Sequence, residues 1–172
     1  VRMLLSHTAG LTDGLGYSGF MEKDSVQSLE ASLKKAKDAD DGLSGEVKVG
    51  VQPGSTWKYS GGGFTLLQLL VEETSGQTFD AFMKDNLFKP LGMTSSCYVL
   101  PDSLENRLCE FYNEDKTVAP HFYYTSLAAT SLYTSLADLE KFYQFFLKGP
   151  GVEPIGRGVL SPETIKNMRA SH

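Results

Sequence analysis

The sequence predicts a mainly α-helical single domain carrying a few short strands. Three observations lead there. Apolar residues recur at helical spacing in several stretches, serine or threonine stands where those helices would begin, and strand-like runs are few and short. A chain of 172 residues that is 41% hydrophobic and 22% charged has the length to bury one core and the composition of a globular protein.

The elements follow in order. Arg2 to Thr8 reads as a short helical turn closed at Ala9-Gly10, where glycine can take the left-handed cap conformation. A glycine-rich loop spans 12 to 20. Val26, Leu29, Leu33 and Ala36 share one face of an amphipathic helix entered through Asp24 or Ser25, with Lys34, Lys35 and Lys37 on the other face. "DADDGLSGE" at 38 to 46 reads as a surface loop, and "VKVGVQPG" as an extended piece closed by Pro53-Gly54. Phe64 to Thr74 predicts a helix ended by Gly76, and Thr78 caps another whose Phe79, Phe82, Met83 and Leu87 share a face before Pro90 breaks the chain. Two short β-like pieces are expected at 97 to 100 and 107 to 112. Ser135 with Asp138 resembles a capping box ahead of Leu136, Leu139, Phe142, Tyr143 and Phe146, and Ser161 with Pro162 opens the last helix.

Charge and composition exclude several function classes. The net charge is −5 and the 16 Lys and Arg are scattered, so no basic footprint for nucleic acid is present. The longest apolar stretch, Phe64 to Val71, is interrupted by Thr65 and Gln68 and falls far short of the ~20 residues of a membrane span. Cys97 and Cys109 permit either a small loop disulfide or two buried thiols. His7, His121 and His172 are too dispersed for a metal motif, and His7 reads as a structural residue. The glycines at 61 to 63 lack the Lys-Ser/Thr of a phosphate-binding loop. Neither a metal nor any other cofactor is expected.

A hydrolase needs an activated nucleophile. The G-x-S-x-G elbow is absent. S-x-x-K occurs at Ser32 to Lys35 and at Ser55 to Lys58, but a motif this short needs its structural setting. Ser32 is expected on a solvated helix face and Ser55 in a turn, so neither is read as a nucleophile.

"VRMLLSHTAGL" at 1 to 11, "QPGSTWKYSGGGFTLLQLLVEETSGQTF" at 52 to 79, "LFKPLGMTSS" at 87 to 96 and "SLYTSLADLEKF" at 131 to 142 together resemble the serine β-lactamase-like family. That family includes class C β-lactamases, penicillin-binding proteins, D-alanyl-D-alanine carboxypeptidases and esterases. The stretches fall in the family's order and cover nearly the whole chain. The resemblance implies the helical domain of the β-lactamase/transpeptidase-like fold, an α+β architecture with its active site between helices and sheet. It also implies that residues 1–172 are one partial domain, since the family's S-x-x-K serine precedes "LLSHTAGL" and its K-T-G or H-x-G strand follows the equivalent of Met168.

The family's Y-x-N motif aligns with Tyr59-Ser60-Gly61. By resemblance Tyr59 is the catalytic residue that takes the serine's proton or relays it to the leaving group, and Ser60 and Gly61 border the substrate. A phenol of pKa ~10 needs nearby cations to act as a base at neutral pH, and in the family these come from segments beyond this chain. Gly61 departs from the usual Asn, which hydrogen-bonds a substrate amide, so esterase or peptidase activity of the parent is as well supported as β-lactam hydrolysis. The implied partner is a small-molecule or peptide acyl substrate, together with the flanking segments of the parent, and the implied location is periplasmic or secreted. Set beside this serine-hydrolase reading is a relative that binds or assembles without catalysis.

Overall fold

The computed structural model describes residues 1–13, 16–39 and 46–170. Most of the expected 38–46 loop lies outside the described residues. In chain order the α-helices among the described residues are α1 (Arg2–Leu5), α2 (Leu29–Lys34), α3 (Gly61–Ser75), α4 (Phe79–Met83), which runs on into a π-helical turn at Lys84–Phe88, α5 (Asp102–Glu105), α6 (Leu127–Thr130), α7 (Leu136–Phe145) and α8 (Pro162–Met168). One antiparallel hairpin, β1 (Phe111–Tyr112) and β2 (Val118–Ala119), pairs Phe111 with Ala119 and Tyr112 with Val118. The mainly helical expectation holds, and the departures from it have local causes.

The helix expected to start at Asp24 or Ser25 begins instead at Ser28, whose hydroxyl accepts from Ala31 N–H at 3.3 Å. It also ends early. The Gln27 side chain accepts from Lys37 N–H at 2.7 Å and donates to the Lys35 carbonyl at 3.2 Å, so the backbone groups that would have continued the helix are bound to an amide. Ser32, expected on a solvated face, is buried at 1% exposure. The shortened helix turns Leu29 and Ser32 inward and leaves its lysines outside.

The α3 helix begins three residues before its apolar run, on the glycines themselves. Ser60 caps it by accepting from Gly63 N–H at 2.8 Å, and Asp13 accepts from Gly62 N–H at 3.2 Å. These bonds satisfy N–H groups that a helix start otherwise leaves open. Gly76 at φ +67° closes the helix as expected. Gly10 is left-handed at φ +72°, but α1 has already ended at Ser6. What Gly10 permits is a close crossing, because a Cβ there would sit 2.3 Å from the Val51 carbonyl oxygen.

The packed interior is partly polar. Leu11, Leu29, Phe79, Phe88, Met93, Phe145 and Ile165 are buried, but so are Asp13, Ser60, Thr65, Gln68, Ser126 and Asp138. Helix α3 meets the segment leading into α6 through side chains rather than through a hydrocarbon seam. The Thr65 hydroxyl lies 2.9 Å from that of Ser126, and the Gln68 amide donates to the Thr125 carbonyl and accepts from Ala128 N–H. On α7, Phe145 is buried while Leu136 and Tyr143 stand exposed. Cys97 forms a single antiparallel bridge with Tyr133 in place of the expected strand, and both cysteines are free thiols.

Candidate active site

Tyr59 sits in an extended segment that runs into α3 and is 49% exposed. The segment is fastened at both neighbours. Lys58 N–H donates to the His7 carbonyl at 2.9 Å, and Ser60 N–H donates to His7 Nδ1 at 3.2 Å. The His7 ring lies 4.8 Å from the Tyr59 ring, 5.9 Å from Trp57 edge-on and 5.5 Å from Phe64. Extended chain needs such outside partners for its N–H groups, and here one residue supplies two of them.

Ser60 is almost wholly buried, and its hydroxyl donates to Asp13 Oδ1 and Oδ2 at 2.7 and 2.9 Å while accepting from Gly63. Both its hydroxyl and its amide are engaged inside the protein. The expected substrate contact of Ser60 thus has its hydroxyl and amide bound within the protein, and these bonds fix the chain beside Tyr59. Gly61 is buried too, and its carbonyl accepts from the Thr65 hydroxyl at 3.3 Å. Close packing explains the next glycine. A Cβ on Gly62 would stand 2.4 Å from Val47 Cγ2 and 3.0 Å from Asp13 Oδ2.

Lys58 is the nearest lysine in sequence to Tyr59, but its ammonium donates to the Thr12 carbonyl at 2.6 Å. Among the described residues none hydrogen-bonds to the Tyr59 hydroxyl. Tyr17 shows the opposite environment. Its hydroxyl shares a 2.7 Å bond with Thr65, and burial pushes the phenol above its ordinary 10.0 despite hydrogen bonds from Ser126 and Thr65 that oppose the rise. A phenol held protonated there belongs to the scaffold, whereas Tyr59 is half-exposed.

Neither S-x-x-K match forms a serine–lysine pair. Ser32 is buried while Lys35 is exposed, and Ser55 donates to the Gln52 carbonyl at 2.6 Å in an exposed turn. Cavities of about 280 and 330 Å³ share Phe111, Leu132 and Tyr133 in their walls, and Tyr59 lines neither. Tyr59 thus stands on an open face beside exposed Trp57.

Asp13 and His7 are the two residues of this arrangement that spacing alone did not single out as site residues. Asp13 lies in a glycine-rich loop, where an acidic residue ordinarily reads as a solvated turn. The available signal was an acidic residue ahead of a glycine-started helix, which needs an acceptor for its first N–H groups.

Residues 1–172 match the family model described as Beta-lactamase. In an alignment of 131 positions that covers 61% of the chain, the sequence is 30% identical to penicillin-binding protein 4* of Bacillus subtilis, and in one of 153 positions that covers 87% of the chain it is 28% identical to the putative penicillin-binding protein PbpX of the same organism. The chain spans 28% and 35% of the lengths of these two relatives. Its fold superimposes on a penicillin-binding protein homologue from Pyrococcus abyssi with a TM-score of 0.69 at 22% identity, covering 99% of this chain and 38% of that one. No helix among the described residues is long and apolar enough to cross a membrane. The family model matches from the first residue to the last, and the chain belongs to the beta-lactamase family.

Proposed function

We propose that this chain is the tyrosine-bearing part of a serine acyl-transfer hydrolase. A serine outside the chain attacks an amide or ester carbonyl, Tyr59 takes the serine's proton and passes it to the leaving group, and water releases the acyl-enzyme. The observation that carries this reading is a half-exposed Tyr59 on a segment whose flanking N–H groups are both bound to His7. A proton-transfer group must be held at a fixed point, and the anchoring of Lys58 and Ser60 provides that.

Within this reading residues 1–172 form one partial domain, and the cations that would favour the Tyr59 phenolate come from its flanking segments. Ser60 holds the tyrosine, and Gly61, buried at the start of α3, brings no side chain to the substrate side. Without an asparagine side chain at 61 to bond a substrate amide, ester and peptide substrates are as well supported as β-lactams. Family membership also supports an extracytoplasmic location, periplasmic or secreted.

The test is turnover of a nitrophenyl ester and a chromogenic β-lactam by the intact protein. Tyr59→Phe should lower kcat/KM by roughly 100- to 10,000-fold, the range of a general acid–base group, while thermal unfolding stays unchanged. The isolated chain should give neither turnover nor an acyl adduct by intact mass. Undiminished turnover in Tyr59→Phe overturns the assignment. An intact protein that binds peptide without acylation would instead be a non-catalytic binding or assembly module.

A further inference from the structure

We propose that His7 is a positioning residue for Tyr59, and that it works only with its Nδ1 unprotonated. This rests on the reading of Tyr59 as the proton-transfer residue. His7 has φ +56°, a left-handed conformation that a residue with a Cβ seldom adopts. The conformation turns the ring and the carbonyl of one residue toward the same extended segment. The carbonyl receives Lys58 N–H at 2.9 Å and Nδ1 receives Ser60 N–H at 3.2 Å, so the two bonds bracket Tyr59. The ring itself lies 4.8 Å from the Tyr59 ring at a 39° tilt. Trp57 and Phe64 contact the same imidazole, which limits its room to rotate.

An acceptor at Nδ1 fixes the tautomer. A neutral imidazole that accepts at Nδ1 carries its proton on Nε2, and a doubly protonated ring has no acceptor left. Protonation of His7 therefore removes the Ser60 bond and frees one side of the Tyr59 clamp. The other titratable or charged groups on the surrounding elements include the Val1 amino group and Arg2 at α1, Asp13 bound to Ser60 and Gly62, Lys58 bound to the Thr12 carbonyl, Tyr59, and Glu72 and Glu73 toward the far end of α3. None of these takes the place of Nδ1 as the acceptor for Ser60 N–H, which is engaged with the ring.

The experiment uses the intact protein with ¹⁵N-labelled histidine and serine. Nitrogen shifts should report the Nε2–H tautomer at His7, and the Ser60 amide shift should show a hydrogen bond to the ring. His7→Ala should speed Ser60 amide exchange and lower kcat on the order of 10- to 100-fold, the scale of a misplaced catalytic group, with KM little changed. His7→Asn tolerates the left-handed backbone and offers an acceptor oxygen, so it should restore most of both losses. An Nδ1–H tautomer, or Ser60 exchange and Tyr59 ring shifts unaltered in His7→Ala, would overturn the proposal. If His7→Ala fails to fold, the tautomer and the His7→Asn rescue decide. Full activity of Tyr59→Phe would sink the reading of Tyr59 instead, and the tautomer and exchange results would still stand.

Discussion

Ser60 holds more of this site together than its size suggests. Its hydroxyl donates to the Asp13 carboxylate and accepts from Gly63, and its amide is bound to His7. Replacing Ser60 with alanine removes the helix cap and leaves a buried carboxylate without one of its donors. The cap alone is worth roughly 1 kcal/mol, and a buried acceptor stripped of a partner costs roughly 1 to 3 kcal/mol more. Ser60→Ala should therefore lower the unfolding free energy by about 2 to 4 kcal/mol, measured by urea denaturation. A loss below about 0.5 kcal/mol, the low end for a cap, would show that Asp13 and Gly63 find other partners. The substitution should also hurt catalysis in the intact protein while leaving the phenol in place, which separates the role of Ser60 from that of Tyr59.

At the scale of the element, α3 opens on three glycines, and ordinary helix propensity favours alanine over each of them by about 1 kcal/mol. Position 62 should defy that ranking. The Cβ of an alanine would meet Val47 Cγ2 at 2.4 Å and Asp13 Oδ2 at 3.0 Å, and overpacking of this kind costs roughly 1 to 3 kcal/mol. Gly62→Ala should come out destabilising on thermal unfolding, and a stabilised variant would mean that Val47 yields freely. The same helix shows what a sequence can and cannot reveal. Its end was readable because Gly76 is a local signal that needs only its own backbone. Its start was not, because the glycines become helical through Asp13, 47 residues before the Ser60 cap it binds. The premature end of α2 is of the same kind, since it depends on which way the Gln27 amide folds. The proposal of Tyr59 rests on the order of several motifs together rather than on any single spacing. The His7 clamp was invisible to spacing, because it joins residues 53 positions apart.

For the molecule as a whole, polar side chains tie distant segments together, and Asp138 is the clearest case. Its carboxylate is 2% exposed and accepts from Ser95 N–H at 2.7 Å, from the Ser96 hydroxyl at 2.9 Å and from the Lys141 ammonium at 2.9 Å. The Asp138 amide meanwhile donates to the Ser135 cap. One residue thus fastens the loop after Met93 to the start of α7. Burial pushes the Asp138 carboxyl up, but the hydrogen bonds from Lys141, Ser96 and Ser95 and the Lys141 charge outweigh it and hold the group below its ordinary 3.8. A carboxyl lowered in the folded state binds fewer protons there than in the unfolded chain, so its contribution to stability is present at neutral pH. That contribution fades as the pH falls below the ordinary value toward the folded one. Unfolding free energies measured from about pH 7 to about pH 3 should decline over the acid end, and Asp138→Asn should flatten that decline while lowering stability at neutral pH. An acid limb as steep in Asp138→Asn as in the wild type would place the acid sensitivity on other carboxylates. It would also mean that the junction between the Met93 loop and α7 is held by the Cys97–Tyr133 bridge, whose backbone bonds do not titrate.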